Sequence, residues 1–112
     1  MLIQFCKSKI AHAKITEAEL YYEGSITIDE DLMDEARLRT GEQVHVVNLH
    51  NGARLVTYVI VGPRGSKAIC LNGPAARCGE IGDPIFILSY AIIDPDKEEL
   101  KPTIVHLESG SH

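Results

Sequence analysis

The chain has 112 residues, 45% of them hydrophobic, which suits one globular domain, and no apolar run approaches the ~18 residues of a membrane-spanning helix. Its net charge of −5, from 11 basic and 16 acidic residues, argues against nucleic acid as the main partner, because phosphate contacts need a basic face. Cys6, Cys70 and Cys78 are an odd count without C-x-x-C spacing, and the five histidines show no ligand pairing, so neither a disulfide framework nor a metal site is expected.

Residues 1–7 have neither a basic start nor a long apolar stretch, so no signal peptide is expected and a cytoplasmic location is the default. Residues 2–6 and 9–15 alternate apolar and polar positions and predict one or two strands, in which Cys6 reads as a buried thiol. Residues 16–20 predict a short turn or helical turn, and residues 25–28 a short strand. Asp29 is placed as an N-cap, with Glu30 and Asp31 where acids favour the helix dipole. Leu32, Met33, Ala36 and Leu38 give that helix an apolar face, and Gly41 provides its stop after about three turns.

Residues 42–49 and 54–61 predict a hairpin, with Asn51-Gly52 as a type I′ turn that needs positive φ twice. Residues 62–66 form a loop, and residues 67–71, with Cys70 as a second buried thiol, a strand. Asn72-Gly73-Pro74 ends that strand, and residues 74–77 fit one helical turn, with Pro74 at its start. Residues 85–93 are a long apolar strand, 94–97 a polar loop and 102–107 a last strand. The polar residues 108–112 are either a frayed tail or a cloning remnant. A six-residue echo links Gly41-Glu42-Gln43-Val44-His45-Val46 to Gly82-Asp83-Pro84-Ile85-Phe86-Ile87, and suggests a pseudo-symmetric small barrel.

The chemistry-bearing stretch is Tyr22-Glu23-Gly24-Ser25. A serine hydroxyl can attack the preceding carbonyl when the amide is distorted and the hydroxyl is activated, although Gly-Ser taken alone is ordinary turn punctuation. Lys9 and Arg54 taken alone are solvated charges, Thr57 and Tyr58 normal strand residues, and Asn72-Gly73 a turn. At their joint spacing, Lys9, Tyr22-Glu23-Gly24-Ser25, Arg54, Thr57-Tyr58, Asn72-Gly73 and Ala75-Ala76 resemble the pyruvoyl-dependent aspartate 1-decarboxylase family, from about residue 2 to about residue 107.

That resemblance implies a mainly β fold, a double-psi β-barrel with one main helix, assembled as a homotetramer. It implies a proenzyme that cuts itself between Gly24 and Ser25 into 1–24 and 25–112, leaving a covalent pyruvoyl group at position 25. The activity implied is decarboxylation of L-aspartate to β-alanine for pantothenate synthesis, through a Schiff base to the pyruvoyl group, without metal or pyridoxal phosphate. Thr57 then assists processing and contacts substrate, and Tyr58 is the proton donor. Lys9 and Arg54 bind the carboxylates, while Tyr22, Asn72, Gly73 and Ala75 line the pocket.

Many relatives carry Lys-x-His-Arg near the start, where this chain has Lys9-Ile10-Ala11-His12, and Pro74 stands where alanine is common. A one-residue shift in a regular strand turns a side chain to the other face, so no role is carried to His12. Some relatives also need an acetyltransferase-like maturation factor. The competing reading is a non-catalytic barrel with an inert turn at position 24.

Overall fold

Alternating apolar positions carry about half of the chain into strands. The structure, a computed structural model, describes residues 1–107; the tail at 108–112 lies outside them. The elements run β1 (Ile3–Lys14), β2 (Glu17–Glu19), β3 (Ser25–Asp29), α1 (Glu30–Ala36), β4 (Gln43–Asn48), β5 (Arg54–Gly62) and β6 (Ile69–Asn72). A 3₁₀ helix (Gly73–Cys78), β7 (Pro84–Ile93) and β8 (Thr103–His106) follow. Hydrogen bonding orders the strands β2-β6-β3-β5-β4-β7-β1-β8, with parallel pairs β3 with β5, β1 with β8, and β2 with β6.

One continuous core fills the interior. Ile10 and Ile15, Ile26 and Ile28 of β3, Val44 and Val46 of β4, Val59, Ile69, Leu71, Ile85 and Ile87 are all buried. Leu32, Met33 and Ala36 dock α1 onto it. Truncating such an isoleucine to alanine typically costs about 2–5 kcal/mol, so β3, buried or half-buried at all five positions, is firmly seated.

The six-residue echo marks a real local symmetry. Gly41 N–H donates to the Val59 carbonyl at 2.7 Å and Val59 N–H returns to Glu42 at 3.0 Å. Gly82 N–H donates to Ile15 at 2.8 Å and Ile15 N–H returns to Asp83 at 3.1 Å. Both glycines sit at positive φ, +87° and +94°, and the two strands that follow pair antiparallel with Val46 opposite Ile87.

Several expectations need correction. The helix has seven residues rather than about three turns, because Arg37 enters the left-handed region at φ 60° and its N–H bonds back to Asp34. Lys7 Nζ bonds the Arg37 carbonyl at 2.6 Å, which fixes that early stop. Residues 16–20 hold the short strand β2 instead of a turn. Thr16 clamps it to Ile69, with its N–H and its hydroxyl both donating to the Ile69 carbonyl. The Asn51-Gly52 turn is not type I′: of the two, only Gly52 has positive φ, and its N–H closes a wider turn on the Asn48 carbonyl. The strand expected at 67–71 runs from Ile69 to Asn72, since Lys67 takes φ 60°. Cys70 is buried as expected, but Cys6 is only half-buried.

Candidate active site

β3 and β6 lie antiparallel, with Ser25 opposite Asn72 and Thr27 opposite Cys70. Ser25 has no exposed surface. Asn72 Nδ2 donates to Ser25 Oγ at 2.8 Å and to Thr27 Oγ1 at 2.9 Å, and Asn72 Oδ1 accepts from Cys70 Sγ at 3.2 Å. The register sets this up: Ser25 and Thr27, two apart, share one face of β3.

The next residue shapes the backbone around Ser25. Gly73 has φ +64°, and a Cβ there would lie 2.9 Å from Gly24 N, 3.0 Å from Glu23 C and against the Tyr22 carbonyl. The segment 22–24 therefore passes directly over a position that only glycine fits. A cavity of about 380 Å³ opens beside it, lined by Gly24, Leu55, Thr57, Tyr58, Pro74 and Ala75 among others. Pro74 Cδ would stand 3.8 Å from a Cβ on Gly24, so the proline forms ordinary contact with the junction.

The two cations lie elsewhere. Among the described residues that line this cavity, Lys9, Tyr22, Arg54, Asn72 and Gly73 are not found; the Tyr22 carbonyl lies over Gly73 and its ring is exposed. Arg54 Nη2 meets Tyr90 Oη at 3.2 Å and His45 Nδ1 at 3.3 Å. Lys9 Nζ sits 4.4 Å from the centroid of Phe86. β1 is bulged against β7 between Ile10 and Ala13, and His12 takes φ 63°. The bulge replaces strict alternation, so His12 also reaches Phe86, edge-on at 5.1 Å between centroids.

The profile described as aspartate decarboxylase matches residues 1–112. The chain belongs to the aspartate decarboxylase family. Proteins named aspartate 1-decarboxylase are similar to it throughout. That of Coxiella burnetii is 62% identical over 108 residues, covering 96% of this chain and 97% of the relative. That of Francisella tularensis subsp. novicida is 56% identical over 110 residues, covering 98% and 99%. That of Leptospira biflexa is 50% identical over 113 residues, covering 99% and 96%. A rationally designed double-psi β-barrel superposes with a TM-score of 0.51 at 17% identity, over 70% of this chain and 91% of the design. A computationally designed one gives 0.50 at 15% identity, over 78% and 96%. The fold is thus the expected mainly β double-psi barrel.

Two carboxylates, Asp29 and Asp83, anchor loops of the barrel. Asp29 is 5% exposed; burial would raise its pKa, but N–H donors from Asp31, Lys67 and Gly65, with Arg64 nearby, outweigh that and hold it low. Asp83 is held at about 2 by the Glu80 N–H first, then by the Asn48 amide and the His50 ring. Asn48 and Asn51 both donate to the Cys78 carbonyl, at 3.2 and 3.1 Å, which ties the β4 to β5 turn to the 3₁₀ helix that carries Pro74 and Ala75. Sequence reasoning missed Thr27, Cys70, His45 and Tyr90. Thr27 follows from the two-residue period once Ser25 is chosen, whereas the others depend on strand register, which one sequence does not display. Among the described residues no cluster of three or more His, Cys, Asp or Glu side chains is placed to hold a metal. None of their helices is long and apolar enough to cross a membrane.

Proposed function

We propose that this chain is a self-processed L-aspartate decarboxylase that forms β-alanine and CO2, cut between Gly24 and Ser25 into 1–24 and 25–112. The observation that carries the reading is the seating of that junction, with its backbone over Gly73 and Ser25 Oγ on the Asn72 amide, in a chain of the aspartate decarboxylase family. In the cut, Ser25 Oγ bonds to the Gly24 carbonyl carbon, the Gly24 to Ser25 amide breaks, and the hydroxyl proton passes to the freed amine. The ester then loses the Ser25 Cα proton and the Gly24 carboxylate. Water replaces the resulting enamine nitrogen, releasing ammonia and leaving a pyruvoyl group. Thr57, which lines the cavity with Gly24, supplies a hydroxyl donor for the oxyanion of the first step.

The buried position beside Asn72 fits a pyruvoyl group: once Oγ has left with Gly24, the amide that donated to it is a freed donor next to a group whose carbonyl oxygens accept hydrogen bonds. Such a group supplies an electrophilic carbonyl that takes up the substrate amine and accepts the electron pair released with CO2. Tyr58 carries the proton for the carbon that loses the carboxylate. Arg54 binds one substrate carboxylate through its fork and Lys9 attracts the other as a point charge. Ala75 forms part of the cavity wall, while Asn72 and Gly73 close the buried side at position 25 and Tyr22 stands at the rim.

Arg54 and Tyr58 are four residues apart on one strand, about 13 Å at a strand's rise, longer than an aspartate. That separation, with exposed Val56, Tyr58, Tyr90 and Ile92, supports a homotetramer in which the cations of one copy serve the Gly24 cavity of the next. The site belongs to a cytoplasmic enzyme. Release of CO2 from aspartate, but not from glutamate, abolished by hydroxylamine, tests the reading; a purified chain inert towards aspartate contradicts it.

A further inference from the structure

An asparagine amide has a donor end and an acceptor end, and which end faces Ser25 matters for the attack. With Nδ2 on Ser25 Oγ, the hydroxyl hydrogen is left free to depart, and the oxygen's developing negative charge meets a donor. With Oδ1 there instead, the amide oxygen would accept that same hydrogen and hold it. Nothing in the amide itself selects between the two, because both ends have the same shape.

Its neighbours select. Both Nδ2 hydrogens are used, on Ser25 Oγ at 2.8 Å and Thr27 Oγ1 at 2.9 Å. The Oδ1 end accepts from Cys70 Sγ at 3.2 Å. In the reversed orientation the amide nitrogen would face sulfur, a weak acceptor, and the group would be poorly satisfied in a buried setting. Cys70, Asn72 and Ser25 are all buried, so water does not substitute for a lost partner.

We infer that Cys70 and Thr27 are positioning residues for self-cleavage, locking the Asn72 amide with its nitrogen on the Ser25 hydroxyl. The inference rests on the processing reading above and adds two residues that the family's motif does not include. Burial first, then Glu17 and Glu19 on β2, push the Cys70 thiol upward, so it remains a protonated donor at neutral pH. Glu17 and Glu19 lie opposite Cys70 and Asn72 in the β2 to β6 register.

The test follows cleavage of the full chain by denaturing mass spectrometry, with the thermal midpoint measured on the same samples. Cys70→Ser keeps a donor and is expected to cleave within about threefold of wild type, whereas Cys70→Ala and Cys70→Val, which lack one, slow by roughly tenfold, the size of one buried hydrogen bond. Thr27→Val slows cleavage and Thr27→Ser restores it. Cys70→Val keeps the volume that Cys70→Ala removes, so a packing defect is separated from donor loss. Equal rates for wild type and both donor-free variants overturn the inference while leaving the processing reading intact. Rates that follow the thermal midpoint across all variants, Cys70→Ser included, overturn it as well. A wild-type chain that never cleaves removes the processing reading and this inference together.

Discussion

Gly73 lies under Gly24 so closely that a side-chain carbon at position 73 would stand 2.9 Å from the Gly24 nitrogen. Gly73→Ala therefore has to displace backbone and also hold alanine at φ +64°. It is expected to cost roughly 2–4 kcal/mol and to slow cleavage sharply. Gly41→Ala is the control: its φ is +87°, but nothing lies within 4 Å, so only the backbone term of about 1 kcal/mol applies. Denaturant midpoints and the cleaved fraction of both variants check this.

Thr57 and Tyr58 line the same cavity, and in the proposed function they take different steps. Thr57→Val is expected to slow cleavage by about 10²–10³, the worth of one oxyanion donor. Tyr58→Phe is expected to cleave normally and to lose about 10²–10⁴ in CO2 release, the range for a general acid. Comparing the fragment ratio with turnover per cleaved chain separates the two roles.

Asp29 links α1 to the loop after β5. Its Oδ1 accepts from Asp31 N–H at 2.8 Å and Gly65 N–H at 3.0 Å, and Oδ2 from Lys67 N–H at 2.7 Å. Asp29→Ala is expected to cost about 2 kcal/mol or more, the upper range for a lost N-cap. Because the Asp29 pKa is lowered from 3.8, its contribution is present above that value and disappears as the pH falls through the folded one. Urea midpoints of wild type and variant should converge in acid.

His50 Nδ1 and Asp83 Oδ1 are 2.9 Å apart, at the end of the β4 to β5 turn. Asp83, held at about 2 against 3.8, stabilises the fold above pH 3.8, and that support is lost as pH falls from 3.8 towards 2. His50 is raised above 6.5 by its hydrogen bond to Asp83 and then by that residue's charge. It stabilises fully below 6.5 and ceases to do so as pH rises through its folded value. His50→Gln is expected to abolish the neutral-side slope and keep most of the acid-side slope, whereas Asp83→Asn removes both. Thermal midpoints across the pH range read out both slopes.

Much of this was legible in the sequence for physical reasons. The long apolar run at 85–93, interrupted only by Ser89, gave β7, and Asp29 before two acids gave the start of α1. The end of α1 was not legible, because a left-handed Arg37 held by Lys7 is a tertiary effect. Nor was β2: Glu17, Ala18 and Glu19 are all exposed and show no alternation, so Thr16 and β6 impose the strand on them. In the site, Asn72-Gly73 read as a turn beside the pocket, but its place beneath residues 22–24 is a long-range contact that no local pattern announces. The bulge at Ala11-His12 likewise defeated a rule that assumes strict alternation.

Denaturing mass spectrometry of the purified, fully matured chain tests the central claim most directly. Two fragments, 1–24 and 25–112, are expected, the larger lighter by one ammonia than simple hydrolysis would leave it, with Ser25→Ala remaining whole. A single intact wild-type chain after prolonged warming, or a Ser25→Ala chain cut at the same bond, would contradict the account.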